Sequence, residues 1–354
     1  MKYYQEANRR LEQDKEVEKS INAMLQEFER DPNGETAKMI KKSCNIALSG
    51  MVESLKRMNV EMDTFFYESE VVERGLLEET VNILKESSVC GMENGAYYLD
   101  IGKRGVSGKN TKFFFTREDG TSLYALRDVA YHILKMKRGE VLIDVLGEDH
   151  KLESKAITIC IEEMKDVLKK RIEASRRREE EFATGGSLKN SLKEKYSRLK
   201  DEEMLSLLSR SSIEPLFYSF VSLPEGKMST RKNRVVFLDE LLDEAVVRAY
   251  EEVRKRRPEL SNKKMKEIAE AVGIGAVRFN IISIQAEKKM VFKWEDALNF
   301  DGFSAPFVMY SHARACSIIR TSGMTLPFYN PARLTHETEK ALIKAIAAFP
   351  DTVL

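Results

Sequence analysis

The chain is poor in the residues that build metal and redox sites. Its 354 residues include only four cysteines, four histidines and one tryptophan. Cys44, Cys90, Cys160 and Cys316 lie far apart, no CxxC pair occurs, and only Cys316 has a histidine, His312, close in sequence. This spacing argues against a zinc site and a disulfide framework, and predicts reduced structural thiols in a cytosolic protein. No apolar run reaches membrane length, and no secretory leader or internal repeat is expected. Neither sign of charge dominates: 58 basic residues against 57 acidic ones leave +1. Any contact with nucleic acid must therefore come from local patches rather than from the overall field.

What is present is globular. Hydrophobic residues make up 42% and charged residues 32% of a chain long enough for two or three domains with their own cores. Residues 5–31 and 35–58 have the spacing of two long amphipathic helices, divided by the turn DPNG. TFFYESE at 64–70 and GAYYLDI at 95–101 read as strands around a helix at 76–87, and KFFFTREDG at 112–120 as a strand ending in a turn. TSLYALRDVAYHILKMK predicts a helix with Thr121 or Ser122 as its N-cap. EVLIDVLG at 140–147 has the composition of a buried parallel strand, and the next helix starts near His150. This order predicts a doubly wound α/β unit with a mostly parallel sheet.

Residues 165–203 interrupt the pattern, with 21 charged residues among 39. They read as a solvated helical insertion or flexible excursion, since alternating signs leave little net field for an RNA. LFYSFVSL at 216–223 returns to a strand. After Leu238 the chain reads as all helix: 239–256, 262–286, about 305–321 and 335–347. GVSGKNT at 105–111 fails the spacing of a phosphate-binding glycine loop and reads as a turn.

The strand at 216–223 delivers the chain to SLPEGKMSTRKN, residues 222–233, where Lys227, Arg231 and Lys232 fall within six residues. A turn needs the glycine but not the cations; a polyanion uses both. Lys227 can meet charge that builds on a triphosphate when its α-phosphorus is attacked, while Ser229 and backbone N–H groups hold the phosphate oxygens. Alone, so short a match is outweighed by a basic surface hairpin. Its context changes the odds.

Residues 214–240, EPLFYSFVSLPEGKMSTRKNRVVFLDE, resemble the signature loop of class I aminoacyl-tRNA synthetases in the form used by arginyl-tRNA synthetases. TSLYALRDVAYHILK, VLGEDHKLESKA, AVGIGAVRFNII and NFDGFSAPFVMYSHARACSIIR each resemble a segment of that family, in family order. The opening helices fit as well, so the resemblance spans nearly everything except roughly 163–212. It implies a partial Rossmann-like nucleotide-binding catalytic domain with a parallel sheet, followed by an α-helical bundle. The implied division is 1–115 as a helical and α+β insertion in the catalytic domain, and 116–240 as that domain's second half. Residues 241–302 would then be a helical stem-contact region, and 303–354 the start of an anticodon-binding domain.

The implied activity is ATP-dependent attachment of arginine to tRNA(Arg) through an arginyl-adenylate in the cytoplasm. ATP with Mg2+ is the substrate, and no protein-bound metal or membrane partner is implied. Family members use a Tyr and an Asp matching Tyr124 and Asp128 to grip the substrate guanidinium, which suits a carboxylate accepting two parallel N–H bonds. The matching ATP contacts are Gly147, Asp149, His150, Lys227, Met228, Ser229, Thr230 and Arg231, with Asp149 also near arginine and Lys227 and Ser229 in the catalytic role. Arg314, Arg254 and Lys255 are tRNA-contact candidates, although a solvated helix face explains the basic runs as well; Tyr310 is expected in the core.

The chain departs from the family at a second phosphate-binding element, His-x-Gly-His, which none of its four histidines can form. Family members carry that element upstream of the matching segment. Asn233 stands where they usually have Gly. The readings left open are a fragment or split subunit working with a complementary N-terminal synthetase half, a degenerate paralogue binding tRNA or a partner without activating arginine, and a remnant with no stable function. The missing strands predict an unpaired sheet edge, an uncovered apolar face and poor solubility.

Overall fold

The computed structural model describes all residues except 1, 109, 184–187, 223–236, 300–301, 324–329 and 354. Three helices open the chain: α1 (Lys2–Gln13), α2 (Lys15–Arg30) and α3 (Glu35–Arg57). The expected single helix over 5–31 is broken at Asp14. Its backbone is extended, and its carboxylate accepts the Glu16 N–H as the N-cap of α2. After α4 (Ser69–Glu73) and α5 (Leu76–Lys85) comes an antiparallel sheet of β1 (Cys90–Glu93), β2 (Ala96–Asp100) and β3 (Lys112–Phe114). The β1–β2 turn uses Asn94 and Gly95, both at positive φ, as a two-residue hairpin requires.

The strand expected at 64–70 is absent: residues 64–67 have no regular structure and Ser69 opens α4. The aromatics there anchor rather than pair, with the Phe66 ring stacked on Tyr131 at 4.3 Å. Helix α6 (Tyr124–Met136) follows, but neither Thr121 nor Ser122 caps it. Leu123 holds the N-cap position without a side-chain bond. The Ser122 hydroxyl instead donates to Glu29 of α2, and the Thr121 hydroxyl to Asp119.

Strand β4 (Val141–Gly147) leads through α7 (Lys151–Ala183) and α8 (Leu188–Arg210) to β5 (Ser212–Tyr218), which lies parallel to β4 in register Val141↔Ser212 through Gly147↔Tyr218. The charged stretch is thus a helix pair extending the crossover. Cross-helix ion pairs Arg198–Glu179 (2.9 Å), Arg178–Glu194 (2.6 Å) and Arg176–Glu202 (2.9 Å) absorb its alternating charges. The base of α8 contributes Leu207 and Leu208 to the main core, where Leu84, Leu99, Phe115, Leu126, Ile133, Met164 and Leu168 are also buried.

β4 is not buried on both faces as its composition suggests. Leu142 points into the core, whereas Val141, Ile143 and Val145 are 58%, 65% and 62% exposed. Leu216 and Tyr218 of β5 are exposed as well. One face of the parallel pair is therefore an open apolar surface, as expected for a sheet lacking its covering layer.

A second core gathers Leu242, Ala245, Val277 and Phe292. It joins α9 (Leu238–Arg256) to α10 (Asn262–Ile282), where Gly273 lets the helices close up: a Cβ there would lie 2.8 Å from the Ala245 backbone. The region is not wholly helical. β6 (Val221–Ser222) pairs in parallel with β7 (Met290–Val291), because the alternating run around Met290 buries that side chain and Phe292 against α9 and α10. α11 (Trp294–Ala297), α12 (Ala305–Ser322) and α13 (Glu337–Val353) complete the chain, and α13 buries no residue. Among the described residues no helix is long and apolar enough to cross a membrane.

Candidate active site

Tyr124 opens α6 and is 66% exposed; Asp128 lies one turn further on the same side and is half-buried. Burial pushes the Asp128 carboxyl above its ordinary value, and the charges of Glu153 and Glu68 push the same way against His132 and Lys135. Tyr131 does not extend this polar face. It packs on Phe66, with the Lys135 ammonium 5.0 Å from its ring centre.

Two buried networks fix the helix. At its start, Arg127 donates to Glu29 at 2.6 Å and to the Ser122 hydroxyl at 2.9 Å, and its second arm lies 3.3 Å from Glu68. On the core side, His132 Nε2 lies 2.7 Å from Asp144 of β4, and Lys135 donates to the same carboxylate at 2.5 Å. Burial works to raise the Asp144 carboxyl, but bonds from His132 and Lys135 outweigh it and hold it at about 2. Helix α6 is thereby locked against β4 at Asp144, midway along the strand.

Gly147 ends β4 buried, and Glu148–His150 form a short 3₁₀ turn leading into α7. Asp149 and His150 are exposed. His150 Nδ1 lies 2.8 Å from Glu153 Oε2, a bond that, with Asp149 and Asp128 nearby, raises the imidazole above its ordinary value. Glu153 was not singled out from sequence; its only signal there is its place three residues after His150, one turn on. Asp128 thus feels the charge of Glu153 and stands one helical turn after Tyr124 on α6, a combination that suits an organic cation.

Lys227, Met228, Ser229, Thr230 and Arg231 lie outside the described residues. Arg254 and Arg314 are exposed on α9 and α12. Lys255 is also exposed and pairs with Glu252 at 2.8 Å, so its charge is compensated locally. α9 belongs to the second core, not to the one that holds α6. Tyr310 is 57% exposed, contrary to the expectation that it is core, because α12 buries little beyond Ala305 and Pro306. Among the described residues no cluster of three metal-ligating side chains occurs.

The catalytic domain described as tRNA synthetases class I (R) matches residues 1–164 and 217–294, and the DALR anticodon binding domain matches residues 308–354. The chain belongs to the arginyl-tRNA synthetase family. The arginine–tRNA ligase of Methanocella arvoryzae is 39% identical over 349 residues, which cover 98% of this chain and 53% of that protein. The arginine–tRNA ligase of Methanocaldococcus jannaschii is 35% identical over 357 residues, covering 99% and 53%. The chain thus spans about half the length of the curated relatives it matches. The arginyl-tRNA synthetase of Thermus thermophilus has the same fold, with a TM-score of 0.69 at 22% identity over 97% of this chain and 56% of that one. Residues 165–216, from the middle of α7 through α8 and most of β5, fall outside the catalytic-domain match.

Proposed function

We propose that the chain supplies the second half of the catalytic unit of an arginine–tRNA ligase. The observation that carries this reading is the half-buried Asp128 beside Tyr124 at the end of β4, in a chain of the arginyl-tRNA synthetase family. A carboxylate there accepts paired N–H bonds from a guanidinium, and the Tyr124 ring bounds its plane.

In the proposed reaction the arginine carboxylate attacks the α-phosphorus of Mg-ATP and pyrophosphate leaves. A terminal ribose hydroxyl of tRNA(Arg) then attacks the adenylate carbonyl and AMP leaves. Lys227 and Ser229 meet the charge that develops on the phosphates, with Met228, Thr230 and Arg231 completing the loop. Gly147, Asp149 and His150 border the nucleotide and the amino acid. Arg314, Arg254 and Lys255 bind tRNA phosphates in a salt-dependent way. The division at about residues 115, 240 and 302 and a cytoplasmic location belong to the same reading.

The open apolar face of β4 and β5 supports one further element of it: this face is covered by the complementary amino-terminal synthetase half that contributes the other phosphate-binding element. The test is arginylation of tRNA by the chain mixed with the amino-terminal portion of the Methanocella relative. Arginylation that needs both parts supports the proposal. A stable complex that binds tRNA but transfers no arginine points instead to a paralogue that has lost activation.

A further inference from the structure

Asp128 is aimed by its main chain. Among the described residues no hydrogen-bond donor reaches its carboxylate, which is half-buried one turn after Tyr124 on α6. Whatever holds the backbone at that turn therefore sets where the carboxylate points. A misplacement of about 1 Å is enough to spoil a directional contact.

The side chain that holds this turn is His132. Its ring is buried, one turn further along α6, with 5% of the side chain exposed. Nδ1 lies 2.7 Å from the Asp128 main-chain oxygen. A carbonyl only accepts, so Nδ1 carries the proton and donates, on top of the helix's own ladder. The other nitrogen, Nε2, lies 2.7 Å from Asp144 Oδ2 on β4. Lys135 closes the triangle, 3.0 Å from Nε2 and 2.5 Å from Asp144 Oδ1.

A histidine that merely filled the core would need one partner. This one spans two elements: Asp144 of the strand on one side and, on the other, the main chain of the proposed guanidinium contact. The second network on α6, Arg127 with Glu29, Ser122 and Glu68, secures the helix start and bonds no atom of Asp128. We propose that His132 is a positioning residue for arginine recognition, holding the turn of α6 that carries Asp128 against β4 through Asp144; this rests on the functional reading above. Buried as it is, His132 acts only through Asp128, so its loss is felt in arginine binding and not in ATP binding.

The test is ATP–pyrophosphate exchange with arginine and tRNA, by the 354-residue chain together with the amino-terminal portion of the Methanocella relative, read as separate Michaelis constants for arginine and ATP. Two substitutions divide the two bonds. His132→Asn keeps an amide donor near Nδ1 and loses the reach to Asp144. His132→Gln keeps the reach toward Asp144 and gives up the bond to Asp128. Each is expected to raise the arginine constant about fivefold, the size of one lost hydrogen bond, and to leave that for ATP within about twofold. A histidine serving stability alone would lower the amount of folded enzyme, and with it the turnover, without moving either constant.

Asp128→Asn separates the levels of the argument. No arginine-dependent exchange by the reconstituted pair, or an unchanged arginine constant in Asp128→Asn, overturns the functional reading and this inference with it. A raised arginine constant in Asp128→Asn, with a wild-type one in either His132 variant, overturns the role of His132 alone, as does an equal rise for arginine and ATP. Should neither His132 variant fold, a wild-type arginine constant in Asp144→Asn contradicts the link.

Discussion

Glu29 and Arg127, 98 residues apart, form a largely buried ion pair at 2.6 Å that ties α2 to the first turn of the helix bearing Tyr124 and Asp128. The same Glu29 accepts the Ser122 hydroxyl and backbone N–H, so one carboxylate organises the entry to α6. Removing one partner of a buried pair strands the other. Glu29→Ala is therefore expected to cost about 3 kcal/mol, measured by urea unfolding. A loss under about 0.5 kcal/mol shows that the helix start is held by other means.

Asp144 gives a signed dependence on pH. Its folded-state carboxyl sits at about 2, below the ordinary value near 4. The stability it contributes is thus fully present above about pH 4 and is lost as pH falls toward 2. Asp144→Asn is expected to flatten that acid limb in urea midpoints measured between pH 2 and 5. An unchanged limb assigns it to other carboxylates.

Asp128 is shifted the other way, raised chiefly by burial. Only its ionised form accepts the guanidinium fork, so arginine binding is expected to weaken as pH falls through a value above the usual carboxylate range. Asp128→Asn is expected to raise the arginine Michaelis constant at least tenfold in the reconstituted enzyme, with that for ATP nearly unchanged. Equal losses for both substrates contradict the assignment.

Much of this was legible in the sequence. The period of α6 put Tyr124 and Asp128 on one side because helical spacing is local. The run at 140–147 announced a parallel strand, and its pairing with β5 follows from the register of Val141 with Ser212. Other features depend on distant partners and left no local trace. The Ser122 hydroxyl was drawn off its expected capping role by Glu29, 93 residues away. The aromatic run at 64–67 looked extended because its anchor, Tyr131, is remote. Glu153 stands three residues after His150 in the sequence, but the burial of its Oε1 arises only once the chain is packed.

The open face of β4 makes a prediction about assembly. Val145→Lys alters a side chain already 62% exposed, so the isolated chain should keep its stability within about 0.5 kcal/mol. It should also self-associate less in sedimentation, and lose binding to the amino-terminal portion of a relative. A variant that still forms the complex shows that this face is not where the partner sits.

The most direct test of the whole account is ATP–pyrophosphate exchange in the presence of arginine and tRNA. The account predicts none by the 354-residue chain alone and robust exchange once the amino-terminal portion is added, abolished again by Lys227→Ala. Robust exchange by the chain alone, or exchange indifferent to Lys227, contradicts it.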